Sequence, residues 1–181
     1  MKPTLLRDWE GSSCDGWMMS EKYDGWRGLW TGSEFVSRQG KVFNAPDWFL
    51  DGMPKTALDG ELFLGRGEFN GIQAAMAGGW FGLRFMAFDA PLVPGGFSER
   101  LEALQSLPLP DHCQLVGQEP VADAAAMRAA AWRVVMDGGE GVVVRDPKAP
   151  YQPGRTSGVL RWVPRCPSLN RKPKKPADLL T

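Results

Sequence analysis

Ser20-Glu21-Lys22-Tyr23-Asp24-Gly25-Trp26-Arg27 sets one lysine between acids, beside a turn glycine, with an arginine five residues on. A lysine amine has a reference pKa of about 10.4, so at neutral pH it attacks nothing until burial or neighbouring cations favour its neutral form. Asp24 alone works the other way, so a nucleophilic Lys22 needs something cationic nearby: a metal ion, or the arginines that would hold a substrate's phosphates. Gly25 admits backbone conformations that other residues resist, suiting a tight turn or the close approach of a ligand. Arg27 carries a planar fork of donors that matches phosphate or ribose oxygens. These eight residues fit two readings, a solvated hairpin with ordinary charges or the site of a lysine nucleophile.

Working outward, 181 residues suit one domain with a sizeable core. The 21 basic residues balance 21 acidic ones, so no global field draws in nucleic acid or membrane, and any nucleic-acid contact must be local. Cys14, Cys113 and Cys166 are odd in number and far apart, with neither zinc nor disulfide spacing. A reducing cytoplasm is the expected compartment. No stretch reads as a signal peptide or membrane span, so no membrane partner is expected. His112 is the only histidine, which argues against histidine triads and multi-histidine metal sites. A glycine-rich phosphate loop ending in Gly-Lys-Ser/Thr is also absent, so nucleotides would be gripped by side chains.

Apolar runs at residues 16–19, 26–30, 34–37, 58–64, 85–89, 141–145 and 159–163, separated by turn residues, predict strands. Helices are expected over 69–77, over 98–104 with Ser98 as a cap, and over 123–136. The implied class is α+β: mainly antiparallel sheets flanked by helices. Residues 1–165 form the expected domain and 166–181 a basic, proline-broken, flexible tail.

The charged residues inside these strands carry the functional argument, because an unpaired buried carboxylate is costly and calls for a cation or a cleft. In Leu58-Asp59-Gly60-Glu61-Leu62, alternation projects Asp59 and Glu61 from one face. Glu140 enters a hydrophobic strand that exits on Arg145. Carboxylates meeting in one cleft suit Mg2+, which prefers oxygen ligands; surface ion pairs are the other reading of the same acids.

The order of these blocks, Glu21 to Arg27, Ser37-Arg38-Gln39-Gly40, Leu58 to Leu62, Phe88-Asp89-Ala90 and Glu140 to Arg145, resembles the nucleotidyltransferase core of ATP-dependent DNA ligases. It is most similar to the small bacterial and viral ones. The resemblance implies an ATP-grasp-like nucleotidyltransferase domain that seals nicks in duplex DNA through a lysyl-AMP, with ATP and Mg2+ as cofactors. It implies that Lys22 attacks the α-phosphate, that Arg27 and Glu61 hold ribose and phosphates, and that Phe88 stacks on adenine. Ser20 and Glu21 would border the base, Arg38 and Arg155 would meet phosphates of the nucleotide or the nicked strand, and Glu140 with Glu61 would place the metal.

Two departures stand out. The family's last strand usually carries Lys-x-Lys, where this chain has Arg161 and Val163, and the family's OB-fold domain is not encoded in these residues. A monomer is expected, with an OB-fold or recruiting partner supplied in trans. An RNA ligase or capping-type enzyme on the same scaffold, and a non-catalytic nick-binding remnant, are the competing expectations.

Overall fold

Short apolar runs punctuated by glycine, proline and asparagine favour many short strands over long helices, and the chain folds as two sheets. The computed structural model describes residues 2–164; the basic tail, with Arg165 and Cys166, lies outside the described residues. In order the elements are β1 (Thr4–Asp8), β2 (Met18–Lys22), β3 (Trp26–Trp30), β4 (Phe35–Ser37), β5 (Val42–Phe43) and α1 (Asp47–Leu50). There follow β6 (Leu58–Phe63), a 3-10 turn (Phe69–Gly71) running into α2 (Ile72–Ala77), β7 (Arg84–Asp89) and α3 (Phe97–Gln105). Last come β8 (Cys113–Leu115), β9 (Glu119–Pro120), α4 (Ala124–Met136), β10 (Gly141–Arg145) and β11 (Gly154–Trp162).

One sheet has the order β1-β11-β10-β2-β9 and the other β5-β4-β3-β6-β7-β8. Pairing is antiparallel except for β1 with β11 and β7 with β8. The expected α+β class of mainly antiparallel sheets with helices on the outside holds, and no second domain occurs among the described residues. Among these residues no helix is long and apolar enough to cross a membrane.

β1, β5, α1, β8 and β9 were not expected, and some expected elements start elsewhere. The final strand begins at Gly154 rather than at 159, because pairing with β1 draws residues 154–158 into the ladder. The third helix starts at Phe97 with Gly96 at its cap, so Ser98 lies within the first turn and caps nothing. Asp123, expected as the first residue of a helix over 123–136, instead caps α4, accepting from the Ala126 amide at 2.7 Å.

Strand alternation splits the interior. Leu58, Leu62, Phe85 and Ala87 are buried with Trp30, Phe35, Phe49 and Trp80 around the six-stranded sheet. Met19, Val142, Val144 and Leu160 pack with Met127, Ala130 and Ala131 of α4 behind the five-stranded sheet. Residues of the opposite parity on β6 and β7, Phe63, Met86 and Phe88, join Val116 and Tyr23 in a third, small cluster that backs the functional site.

Close strand packing depends on Gly60, where a Cβ would sit 2.6 Å from both the Met86 carbonyl oxygen and the Phe85 ring. Gly60→Ala is expected to lower stability by about 1–3 kcal/mol, the usual range for overpacking, read as a fall of several degrees in melting temperature.

Candidate active site

β2 and β10 run side by side with Lys22 opposite Gly141, Glu21 opposite Val142 and Ser20 opposite Val143. The register continues through Val143–Arg161 and Asp8–Arg161. One face of the five-stranded sheet therefore presents Ser20, Lys22, Val143, Arg145 and Arg161, while its other face packs on α4. Lys22 Nζ donates to Glu140 Oε2 at 2.5 Å, with side chains 17% and 29% exposed. The pair lines a recess of about 140 Å3 together with Glu21, Asp24 and Arg66.

Across from this strand, Arg27 on β3 donates through Nε and Nη2 to the two carboxylate oxygens of Asp59, at 2.5 and 2.6 Å. Nη2 also reaches the Thr4 carbonyl at 3.2 Å, and the Tyr151 hydroxyl donates to Asp59 Oδ2 at 2.6 Å. Burial works against the charge on Arg27, but the twice-bonded Asp59 carboxylate outweighs it and holds the guanidinium above its usual range. Tyr151 is pushed up by burial and by the Asp59 charge it touches. Arg27 was expected to hold ribose and phosphates; most of its fork is instead committed to Asp59, leaving Nη1.

Glu61 lies opposite Arg27 in the ladder, on the face it was expected to share with Asp59. Burial pushes its carboxyl up to about 7, with Arg27 and Lys22 opposing that rise and the negative charges of Asp59 and Glu140 adding to it. A half-protonated carboxyl beside a second acid fits a site lacking a cation. No group of three or more His, Cys, Asp or Glu that could hold a metal occurs among the described residues.

Gly25 is required, but for a different reason than expected. It does not adopt positive φ; a Cβ there would lie 2.4 Å from the Leu62 carbonyl oxygen. The glycine thus lets the lysine loop lie against β6.

The remaining predicted residues divide. Ser20 stays on the Lys22 face, its Oγ accepting from Arg145 at 3.0 Å. Glu21 does not stay there: alternation turns its carboxylate to Arg66, which donates to it at 3.0 and 2.8 Å and also to the Asp137 carbonyl. Phe88 is 9% exposed, with the guanidinium carbons of Arg27 and Arg145 at 4.7 and 4.9 Å from its ring centroid. A stacking base gains little area there until an arginine moves. Arg38 lines a cleft of about 1040 Å3 with Arg27, Lys41, Gln39 and Glu61. Arg155 is exposed and lines a separate cleft with Arg7 and Arg161. Arg161 itself donates to Asp8 at 2.7 Å, near Glu140 and Val163.

Sequence reasoning missed three contributors. Arg145 is buried behind Ser20, and burial pulls its guanidinium down to about 10. Arg100 is buried too, donating to both oxygens of Asp89 and to the Gly95 and Ala149 carbonyls. Tyr151 is the third, its hydroxyl donating to Asp59. A buried acid two residues from another, as in Asp59-Gly60-Glu61, was the available signal that one of them needs an internal cation.

A lysine-bearing strand facing buried arginines and two acids, between two mainly antiparallel sheets, is the arrangement seen in nucleotidyltransferase folds. The fold is that of the adenylation domain of ATP-dependent DNA ligases. A DNA ligase of Haemophilus influenzae is 37% identical over 164 residues, which cover 87% of this chain and 61% of that protein. A solved Lig E DNA ligase aligns with a TM-score of 0.81 at 29% identity over 91% of this chain and 69% of its own. The Chlorella virus DNA ligase-adenylate aligns with a TM-score of 0.72 at 18% identity, covering 90% of this chain and 67% of that one. For the ATP complex of the bacteriophage T7 ATP-dependent DNA ligase the TM-score is 0.67 at 18% identity, covering 91% and 69%. No family model matches the chain. The chain thus spans about three fifths of the Haemophilus relative's length.

Two substitutions probe this electrostatic frame. Asp59→Asn leaves Arg27 without its counter-charge and is expected to cost on the order of 3 kcal/mol, measured as a lower urea midpoint. Glu61→Gln acts in the opposite sense. Because the folded carboxyl is pushed up to about 7 from its ordinary value of 4.5, folding binds a proton between those values and stability falls as pH rises through them. The cost is absent below the lower value and complete above the upper. Melting in EDTA should therefore show Glu61→Gln matching the parent at pH 4 and exceeding it by several degrees at pH 8.

Proposed function

We infer that this chain is the adenylation domain of an ATP-dependent DNA ligase, in which Lys22 takes AMP from ATP, releases pyrophosphate and passes the AMP to the 5′-phosphate at a nick. The observation that supports this best is Lys22 itself, held on the inner face of its strand beside Glu140 and opposite the Arg27–Asp59 pair. Phosphoryl transfer asks mainly for in-line positioning and neutralised charge, which such a site supplies.

In the free protein Lys22 is bonded to Glu140, and attack needs the amine's lone pair. The ammonium must therefore give up a proton, which Glu140 is placed to take, and a cation held nearby would favour the neutral amine. Mg2+ fits the two acids present: Glu61 and Glu140 would hold it by oxygen, alongside nucleotide phosphates and water, where it would neutralise phosphate charge. Ser20, Phe88 and Arg145 would surround the base, and Arg38 with Lys41 would face the nicked strand from the larger cleft. The 3′-hydroxyl would then displace AMP to seal the strand.

A second reading, a domain that binds nicks without forming the adduct, is favoured by Arg161 being tied to Asp8 and by the apolar Val163 beside it.

Intact mass after incubation with ATP and Mg2+ separates the two. The expected result is a gain of one AMP, reversed by pyrophosphate and lost in Lys22→Ala. A folded protein, not already adenylated, that gains nothing yet retains nicked DNA supports the binding domain. GTP in place of ATP, and RNA ends in place of nicked DNA, test the capping-type and RNA-ligase alternatives.

A further inference from the structure

Among the described residues, the buried side-chain polar atoms left without a hydrogen-bond partner are the amide nitrogen and the amide oxygen of Gln118. An amide shielded from water on both atoms carries its full desolvation cost, which native chains rarely tolerate without a use. Its position suggests the use. β2 and β9 pair with Met18 opposite Pro120 and Met19 opposite Glu119, and the same register extended one residue beyond β9 brings Gln118 alongside Ser20. Residues opposite one another share a face, which puts Gln118 on the face of Ser20 and Lys22 rather than the face packed on α4.

Two residues earlier, Val116 donates its amide to the Ala87 carbonyl and packs with Phe88, Phe63 and Met86. Ser20 accepts from Arg145, which lies over Phe88. Gln118 therefore sits where the two sheets converge, between a buried aromatic ring and the strand that carries the lysine.

We propose that Gln118 is a specificity-determining residue that reads the edge of the adenine base. Its NH2 donates to a ring nitrogen and its carbonyl accepts from the neighbouring exocyclic amine, the donor and acceptor pairing that a primary amide offers adenine. This rests on the adenylation reading above and adds the base-reading group to it. In the free protein the slot is closed, which is why both the amide and the Phe88 ring are shielded.

The test compares ATP with purine riboside 5′-triphosphate, which lacks the exocyclic amine, in the parent and in Gln118→Met and Gln118→Leu. Calorimetry reads affinity and intact mass reads the rate of adduct formation. The parent should favour ATP by about tenfold, the effect of one buried hydrogen bond. In both variants the preference should collapse toward unity through weaker ATP binding. Their melting temperatures without nucleotide should hold or rise, since an apolar side chain removes an unpaired amide.

A preference for ATP that survives in both variants overturns the assignment, as does a large fall in melting temperature with equal losses for both nucleotides, which would mark Gln118 as structural. Failure of the parent to bind either nucleotide or form an adduct would bring down the adenylation reading as well. An adduct formed with an unchanged base preference would bring down Gln118 alone.

Discussion

The bidentate contact between Arg27 and Asp59 is the constraint on which the two sheets depend. Arg27 and Asp59 belong to the six-stranded sheet, but their remaining partners, the Thr4 carbonyl and the Tyr151 hydroxyl, belong to β1 and to the segment entering β11 of the other sheet. A carboxylate with no exposed surface needs a donor at each oxygen, and Arg27 and Tyr151 supply them. The geometry of the cleft is thereby set by a polar joint rather than by apolar packing. Such joints contribute little net stability against an apolar alternative, but they permit few arrangements.

A second buried pair, Arg100 with Asp89, performs the same office one layer out, tying α3 to the end of β7 and to the Ala149 carbonyl. Between the two pairs lies Arg145, which donates to the Ser20 hydroxyl. Three arginines and two fully committed acids leave the slot around Phe88 electropositive, the polarity that a polyanionic substrate would seek. The acids not absorbed in this frame, Glu61 and Glu140, are the ones that flank the lysine.

Much of this was legible in the chain. The apolar runs of β3, β6, β7 and β10 are marked enough that the existence of these strands follows from the residues. The short strands were not legible. β5 and β9 have two residues each, β9 includes a proline, and β1 and β8 pair parallel with strands distant in the chain. Edge strands of that length take their conformation from the neighbour they join, so their own sequence carries little signal. The site was readable as a list of residues but not as a division of labour. Glu21 and Lys22 are adjacent in sequence and part ways by alternation, while Arg27 looks like a substrate ligand until Asp59 is seen to occupy it. Gln118 was invisible for a deeper reason: what distinguishes it is a missing partner, which no single residue reveals.

The strand order also fixes a timetable for synthesis. All six strands of the larger sheet come from residues 26–115, so that half can form from contiguous chain. The smaller sheet inserts β10 and β11 between β1 and β2, so it stays open until residues some 150 positions past its first strand are made. Lys22 sits in the middle of that late sheet, paired to β10. The nascent chain consequently has a folded half and no ordered nucleophile for most of its elongation, and the chemistry is assembled in the final step of folding.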